Sequence, residues 1–156
     1  MISVDEVMVK NVLMLDGHLT VGETWKMFSL KKINAAPVMD NNKHLIGILT
    51  KEDILQSLFP DYRAYSTDFN AKEFDVDDNE LKEVMKKRVT DIMNKNVIHT
   101  HRQTSVMRAL GRMIAHRINQ MPVVDDENHI VGIVTKGSIF RSLYQLHKSF
   151  FRKRSH

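Results

Sequence analysis

Residues 33–54 read INAAPVMDNNKHLIGILTKEDI, and residues 118–139 read INQMPVVDDENHIVGIVTKGSI. At this offset, residues 7–58 align with residues 92–143 without a gap, and 18 of the 52 aligned positions are identical. About three identities are expected from background residue frequencies. Self-similarity at a fixed period is typical of a repeated structural unit. We therefore interpret the chain as an internal duplication, and this repeat decides the fold.

Each copy has the same predicted order of elements, β-α-β-β-α. A hydroxyl residue, Thr20 or Ser105, precedes apolar residues at helical spacing and is a suitable N-cap. Two apolar strands joined by a short polar turn follow, which predicts a hairpin, and a second helix closes the copy. The predicted elements are Val12–Leu15, Val21–Lys32, Ala36–Met39, Leu45–Leu49 and Lys51–Leu58 in the first copy, and Val97–Thr100, Val106–Arg117, Met121–Val124, Ile130–Val134 and Lys136–Leu146 in the second.

The copies and the segments around them divide the chain into four ranges. The first copy occupies residues 1–59 and the second occupies 87–146, with an excursion at 60–86 between them and a basic tail at 147–156. A unit of about 55 residues buries too little surface to fold alone. We therefore expect an α/β (α+β) fold in which the two repeats pack through their sheets as one pseudo-twofold module.

The stretch between the copies is acidic and aromatic. Residues 60–80 hold seven acidic and two basic side chains, a local charge of −5. Flexible linkers are poor in aromatic residues, so we expect an ordered surface excursion followed by a helix over Leu81–Lys87. The aromatic residues in question are Tyr62, Tyr65, Phe69 and Phe74.

Composition excludes several classes of protein. The 156 residues include no cysteine, which removes disulfides, zinc ribbons and thiolate catalysis. No apolar run approaches the roughly 18 residues of a membrane span, and the acidic N-terminus does not resemble a signal peptide. We expect a cytoplasmic protein without a membrane span.

The net charge of +4 belongs to one end of the chain. The last 16 residues carry +5 without any acidic residue, so the other 140 sum to −1. A basic groove for nucleic acid is therefore not indicated, and we do not expect nucleic acid as a partner of the repeats. One interpretation of the tail is a solvated terminus; the other is contact with acidic lipid, nucleic acid or an acidic protein surface. The basic residues are Arg141, Lys148, Arg152, Lys153 and Arg154.

Little in the sequence favours an enzyme. The six glycines are scattered and form no phosphate-binding loop, and no hydrolase or metalloprotease motif occurs. His99 and His101 could place two imidazoles on one face of a strand, but the sequence indicates no third metal ligand. We therefore expect neither a metal site nor catalysis. The ten methionines, including Met107 and Met113, are interpreted as core residues.

The junction at Thr50 has two interpretations. A predicted strand ends just before Thr50 and a helix starts there, so its hydroxyl, the first-turn amides and Lys51 suit a phosphate. Asp53 lies on the same helix face, where a carboxylate can accept two hydrogen bonds from the hydroxyls of a ribose. Alternatively, Thr50 and Asp53 form a capping box.

The duplicated unit resembles a tandem pair of CBS domains, also called a Bateman module. The resemblance is carried by Asp91-Ile92-Met93, Pro37-Val38-Met39-Asp40, Met121-Pro122-Val123-Val124-Asp125, Gly47-Ile48-Leu49-Thr50-Lys51-Glu52-Asp53 and Gly132-Ile133-Val134-Thr135. The resemblance covers both copies at matching spacing. The excursion at 60–86 is similar to that of free-standing prokaryotic CBS pairs.

This resemblance implies a regulatory, non-catalytic module that binds an adenosyl ligand between the repeats. AMP, ADP, ATP and S-adenosylmethionine are the ligand candidates, a homodimer is the implied assembly, and an effector protein is a further partner. The alternative is a ligand-free structural or interaction module. In the second copy Ser138 stands where the family has an aspartate, so binding is expected mainly at the first. The implied ligand-binding residues are Val12, Leu13, Ile33, Asn34, Ala35, Pro37, Thr50, Lys51, Asp53, Asn119, Gln120, Thr135 and Ser138.

Overall fold

A computed structural model describes residues 1–59 and 77–152 of the chain. The described residues form two compact units. One is Leu13–Val97, and the other combines Met1–Val12 with the described residues from Ile98 onward. The predictions for the acidic aromatic stretch up to residue 76, and those for residues 153–156, lie outside the described residues.

The unit Leu13–Val97 contains a three-stranded sheet of order β1-β2-β3. β1 runs parallel to β2, and β2 runs antiparallel to β3. The strands and helices in this unit are β1 Leu15–Asp16, α2 Val21–Lys31, β2 Ala35–Met39, β3 Leu45–Thr50, α3 Lys51–Gln56, α4 Asp78–Lys86 and α5 Val89–Ile92.

The second unit repeats this topology with a sheet of order β4-β5-β6. β4 is parallel to β5, and β5 is antiparallel to β6. Its elements are α1 Val4–Val7, β4 Thr100–His101, α6 Val106–His116, β5 Gln120–Val124, β6 Ile130–Thr135, α7 Lys136–Leu146 and α8 Lys148–Phe151. Two sheets with flanking helices confirm the predicted α+β class.

Four predicted elements differ from the observed ones by more than one residue at an end. The first strand of each copy is a two-residue strand, β1 or β4, and not the predicted Val12–Leu15 or Val97–Thr100. Only Leu15 and Asp16 pair with β2, and the Asp16 carboxylate then turns the chain by accepting from His18 N at 2.8 Å. α3 ends at Gln56, two residues early. The helix predicted over Leu81–Lys87 begins three residues earlier, because Asp77 caps it by accepting from Glu80 N at 2.8 Å.

The segments that lead into the two copies are exchanged. Residues 1–12 pack with the strands and helices of the second copy, and residues 78–97 pack with those of the first. Val9 and Ile133 exchange two backbone hydrogen bonds of 2.8 and 2.9 Å, and Asn94 and Ile48 exchange two of 2.9 Å. The two pairs occupy equivalent repeat positions. The compact units and the sequence repeats therefore divide the chain differently.

The crossing of these lead-in segments explains a glycine in each copy. A Cβ at Gly132 would lie 2.8 Å from the Val9 carbonyl oxygen and 3.0 Å from Met8 Sδ. A Cβ at Gly47 would collide with the side chain of Met93. At Gly132 only a residue without a side chain lets the Val9 backbone approach this closely, and at Gly47 the missing side chain makes room for Met93. The glycine of each apolar strand thus serves the docking of the lead-in segment.

Each unit buries its own apolar cluster. In the unit Leu13–Val97, the cluster includes Leu15, Phe28, Leu49 and Ile54. In the second unit, Met113 is fully buried with Val106, Ala109, Met121 and Ile139. The prediction that Met107 is also a core residue is wrong, because 59% of it is exposed. Six residues from Met113 on a helix of 3.6 residues per turn, Met107 points well away from it.

The two hairpin turns are built alike. His44 N donates to Asp40 Oδ1 at 2.9 Å, and His129 N donates to Asp125 Oδ1 at 2.8 Å. These backbone hydrogen bonds favour the ionised carboxylates and hold the pKa of Asp40 and of Asp125 below its usual value. The duplicated Asp and His of the sequence repeat therefore serve to fix the turns.

Candidate ligand site

The junction between β3 and α3 holds the predicted phosphate and ribose residues. The Thr50 hydroxyl oxygen accepts from Asp53 N at 3.1 Å, and Asp53 Oδ2 accepts from Thr50 N at 2.9 Å. This is a capping box, so the alternative interpretation of the two residues is confirmed as local structure. It does not exclude ligand binding, because Asp53 Oδ1 accepts no hydrogen bond from the residues that the structure describes.

Other predicted site residues lie next to this junction. Lys51 N donates to the Asn34 carbonyl at 2.7 Å, and Ala35 is the cross-strand partner of Thr50. Pro37 is buried on β2 opposite Ile48. The structure thus brings Asn34, Ala35, Thr50, Lys51 and Asp53 together at one end of the hairpin.

The remaining first-copy residues are more dispersed. Ile33 follows the left-handed residue Lys32 at the end of α2 and packs against the core. Leu13 is half-buried and also packs against that core. Val12 belongs to the other compact unit. The strand predicted to contain both Val12 and Leu13 does not form at these residues, because β1 begins at Leu15.

The second copy has the same junction with a different hydrogen-bond pattern. Ser138 Oγ accepts from Thr135 N at 3.1 Å and donates to the Thr135 carbonyl at 3.0 Å. Lys136 N donates to the Asn119 carbonyl at 3.0 Å, and Gln120 pairs with Thr135. The serine is only 6% exposed and its single hydroxyl proton is already donated. Ser138 therefore offers a ligand fewer hydrogen-bonding atoms than Asp53 does.

Each unit has a cavity beside its closing helix. The cavity in the unit Leu13–Val97 is about 80 Å³, well below the roughly 300 Å³ at which ligand pockets begin. It is lined by Trp25, Phe28, Ser29, Ile33, Lys51, Ile54 and Leu55. This cavity is therefore too small to enclose a whole nucleotide and could hold only part of one.

The cavity in the other unit is larger, about 550 Å³, and runs between α1 and α7. Ser138 is the one predicted site residue among its lining residues, and Arg141 and Glu6 add opposite charges. The sequence analysis did not identify Arg141 as a cavity residue. The signal that could have identified it is a difference between the copies, because the aligned residue of the first copy is the uncharged Gln56. The lining residues are Ile2, Glu6, Val7, Val9, Ser138, Arg141, Ser142, Gln145 and Leu146.

The paired histidines contact each other and the backbone. The rings of His99 and His101 meet edge to face with centroids 5.7 Å apart. His101 Nδ1 lies 3.1 Å from the Val124 carbonyl, where it serves the β4–β5 pairing. Within residues 1–59 and 77–152, no group of three metal-binding side chains is present. The same residues contain no helix whose length and apolar character would allow it to cross a bilayer.

Residues 4–60 and 89–145 each match the sequence model of the CBS domain. The chain belongs to the CBS domain family. This confirms the resemblance that the two repeated motifs indicated.

Two proteins of similar sequence extend the comparison. Inosine-5′-monophosphate dehydrogenase of Methanocaldococcus jannaschii is 30% identical over 137 residues, which are 88% of this chain and 23% of that enzyme. Protein MJ1232 of the same organism is 31% identical over 140 residues, 90% of this chain and 39% of that protein. The chain thus spans less than half the length of these two relatives.

Solved CBS structures have the same fold. The CBS domain pair of protein MJ0100, in complex with 5′-methylthioadenosine and S-adenosyl-L-methionine, superposes with a TM-score of 0.69 at 27% identity, covering 93% of this chain and 98% of that one. CBSX2 of Arabidopsis thaliana, in complex with AMP, has a TM-score of 0.73 at 21% identity, covering 92% and 97%. The fold class is therefore that of a CBS pair.

Proposed function

We propose that this chain is a non-catalytic regulatory module that binds an adenine nucleotide or another adenosyl ligand, mainly at its first CBS repeat, residues 1–59. The MJ0100 domain pair, which is 27% identical, was solved with two adenosyl compounds. CBSX2, which shares the fold, was solved with AMP. Adenine joined to a ribose ring with its 2′ and 3′ hydroxyls is the part that all three ligands have in common.

The observation that carries this proposal is the unused oxygen of Asp53. The capping box occupies Oδ2 and leaves Oδ1 as an acceptor next to the Thr50 hydroxyl. A ribose hydroxyl can donate to that oxygen in a charge-assisted hydrogen bond. Lys51, which is exposed at the same end of the hairpin, supplies a cation for a phosphate.

The second repeat, residues 87–146, lacks this acceptor. Ser138 already donates its hydroxyl proton to Thr135. We expect Thr135 and Ser138 to contribute less to binding than their first-repeat counterparts, Thr50 and Asp53. The alternative function, a ligand-free interaction module, is favoured by this serine and by the small cavity of the first unit.

A panel of AMP, ADP, ATP, S-adenosylmethionine and NAD separates the two functions. A ligand at 100 times its dissociation constant raises the free energy of unfolding by about 2.7 kcal/mol. We expect at least one adenosyl compound to raise the midpoint of thermal unfolding in a concentration-dependent way. If no member of the panel shifts the midpoint at millimolar concentration, the proposed ligand binding is wrong and the ligand-free interaction module is favoured.

We further propose that the module is a homodimer that meets through its closing helices. Large apolar side chains remain exposed on both, Leu55 on α3 and Phe140 on α7. A second copy would cover them, and a twofold dimer is the commonest closed assembly. Sedimentation equilibrium at tens of micromolar protein should give twice the chain mass of 18.1 kDa. Phe140→Ser should shift the equilibrium towards the monomer, and a wild-type mass of one chain contradicts the dimer.

A further inference from the structure

The chain from His147 to Arg152 forms an ordered surface that we call the basic aromatic end. His147 ends α7 by donating its backbone N–H to the Leu143 carbonyl at 3.2 Å, and its ring stacks on Phe150 with centroids 5.2 Å apart. The ring of Phe151 packs on Tyr144 of α7, also at 5.2 Å. Short α8 is thus held against the end of α7 by two aromatic pairs.

Both phenylalanines of this surface remain open to solvent. Phe150 is 78% exposed and Phe151 is 63% exposed, although each makes one ring contact. Leu146, just before them, is also exposed. Adjacent exposed apolar side chains of this size mark an interaction site more often than isolated ones do.

The surface carries charge of one sign. Lys148 and Arg152 are exposed and flank the two phenylalanines in sequence. Residues 128–156 contain six lysines and arginines and no acidic residue, whereas the whole chain has a net charge of only +4. No intramolecular ion pair of Lys148 or Arg152 occurs among the described residues. The complementary partner is therefore anionic.

We propose that the basic aromatic end binds the surface of membranes that contain anionic lipids. Phe150 and Phe151 enter the boundary between headgroups and acyl chains, while Lys148 and Arg152 contact the lipid phosphates. Aromatic rings and cations together are what interfacial binding uses, and each signal alone is weak. Such binding lies on the membrane surface and requires no spanning helix.

The exposed apolar side chains favour lipid over nucleic acid. Single-stranded nucleic acid also binds cations and aromatic rings, because bases stack on the rings. Leu146, which is 58% exposed and precedes His147 in sequence, offers no ring for stacking. A lipid boundary accommodates all three side chains.

Vesicle cosedimentation tests the proposal. The full chain should bind vesicles of phosphatidylcholine with about one third phosphatidylglycerol, but not vesicles of phosphatidylcholine alone. Lys148→Ala with Arg152→Ala should weaken binding about thirtyfold, at about fivefold per charge. Phe150→Ser with Phe151→Ser should weaken it about a hundredfold, at about tenfold per ring.

Leu30 provides the matched control. It is exposed on α2 and is followed by two lysines, Lys31 and Lys32, but has no aromatic neighbour in sequence. Leu30→Ser should leave vesicle binding unchanged. As a second measurement, Phe151→Trp should show a blue-shifted difference fluorescence with anionic vesicles, which needs no destabilising substitution.

Three results would overturn the proposal. The first is no binding of the wild type to anionic vesicles at low salt. The second is equal binding by the wild type and the double phenylalanine variant when both are folded by circular dichroism. The third is binding of a single-stranded oligonucleotide by a chain that ignores the vesicles, which would assign the surface to nucleic acid.

Discussion

Asp53→Asn is expected to lower the affinity for the adenosyl ligand about tenfold to a hundredfold. The asparagine side-chain oxygen can still accept from Thr50 N, as Asp53 Oδ2 does at 2.9 Å, so the capping box persists. The second oxygen is replaced by an NH₂ group, which cannot accept from a ribose hydroxyl. A hydrogen bond to a charged group is worth about 1.5–3 kcal/mol, which corresponds to that loss of affinity.

Three further variants separate binding from capping. Asp53→Ala also removes the hydrogen bond from Thr50 N to Asp53 Oδ2, which is half of the capping box, and should lower stability by up to about 1 kcal/mol. Ser138→Ala, at the equivalent position of the second repeat, should change affinity little, because its hydroxyl is already bonded to Thr135. Ser138→Asp restores the missing acceptor and should create a second, weaker site.

Isothermal titration calorimetry with the best ligand of the panel measures all four variants. Equal losses in Asp53→Asn and Ser138→Ala would contradict the asymmetry between the repeats. An unchanged affinity in Asp53→Asn would remove Asp53 from the site. Neither result would by itself reject ligand binding, which the panel tests with the wild-type chain.

Met113→Ala is expected to lower the free energy of unfolding by about 2–5 kcal/mol. Met113 is fully buried in the second unit, and the alanine would leave a cavity among Val106, Met121 and Ile139. Urea unfolding with a shared m-value measures the change.

Met107→Ala on the same helix is the control. Its side chain is mostly exposed, so the expected change is within about 0.5 kcal/mol. The two substitutions delete the same atoms at similar helix propensity, so the difference between them reports burial alone. Equal effects would contradict the orientation of α6.

Local elements were predictable because local signals specify them. The helices that start at Val21 and Val106 begin directly after the predicted hydroxyl caps. Thr20 accepts a hydrogen bond from Glu23 N, and Ser105 accepts one from Arg108 N, both at 3.2 Å. The hairpin strands were displaced by one residue at most. Caps, turns and apolar alternation act over a few residues, so the sequence displays them directly.

The strands that depend on distant partners were predicted less well. β1 exists only where Leu15 and Asp16 meet Val38 and Met39, more than twenty residues away. Sequence pattern extended it backwards over Val12 and Leu13, which are apolar but pair with no strand. Apolar character alone does not show where a neighbouring strand begins.

The candidate site shows the same division. Thr50 and Asp53 were identified from spacing, and the structure shows both the capping box and the oxygen that it leaves unused. The hydrogen bond from Ser138 to the Thr135 carbonyl depends on a rotamer that no spacing specifies. The cavity beside Arg141 depends on α1, which is remote in sequence.

The sequence by itself determined that this protein is an internal duplication, because 18 identities at one offset include the Asp and His of the hairpin turn and the threonine that caps the closing helix. Only the tertiary structure decided that the lead-in segments are exchanged, with Val9 paired to Ile133 and Asn94 paired to Ile48. Either repeat has the glycine and the apolar strand to accept either lead-in, since the copies are alike at these positions. Which segment docks on which strand is set by chain connectivity and long-range packing, and a repeated pattern cannot distinguish two equivalent partners.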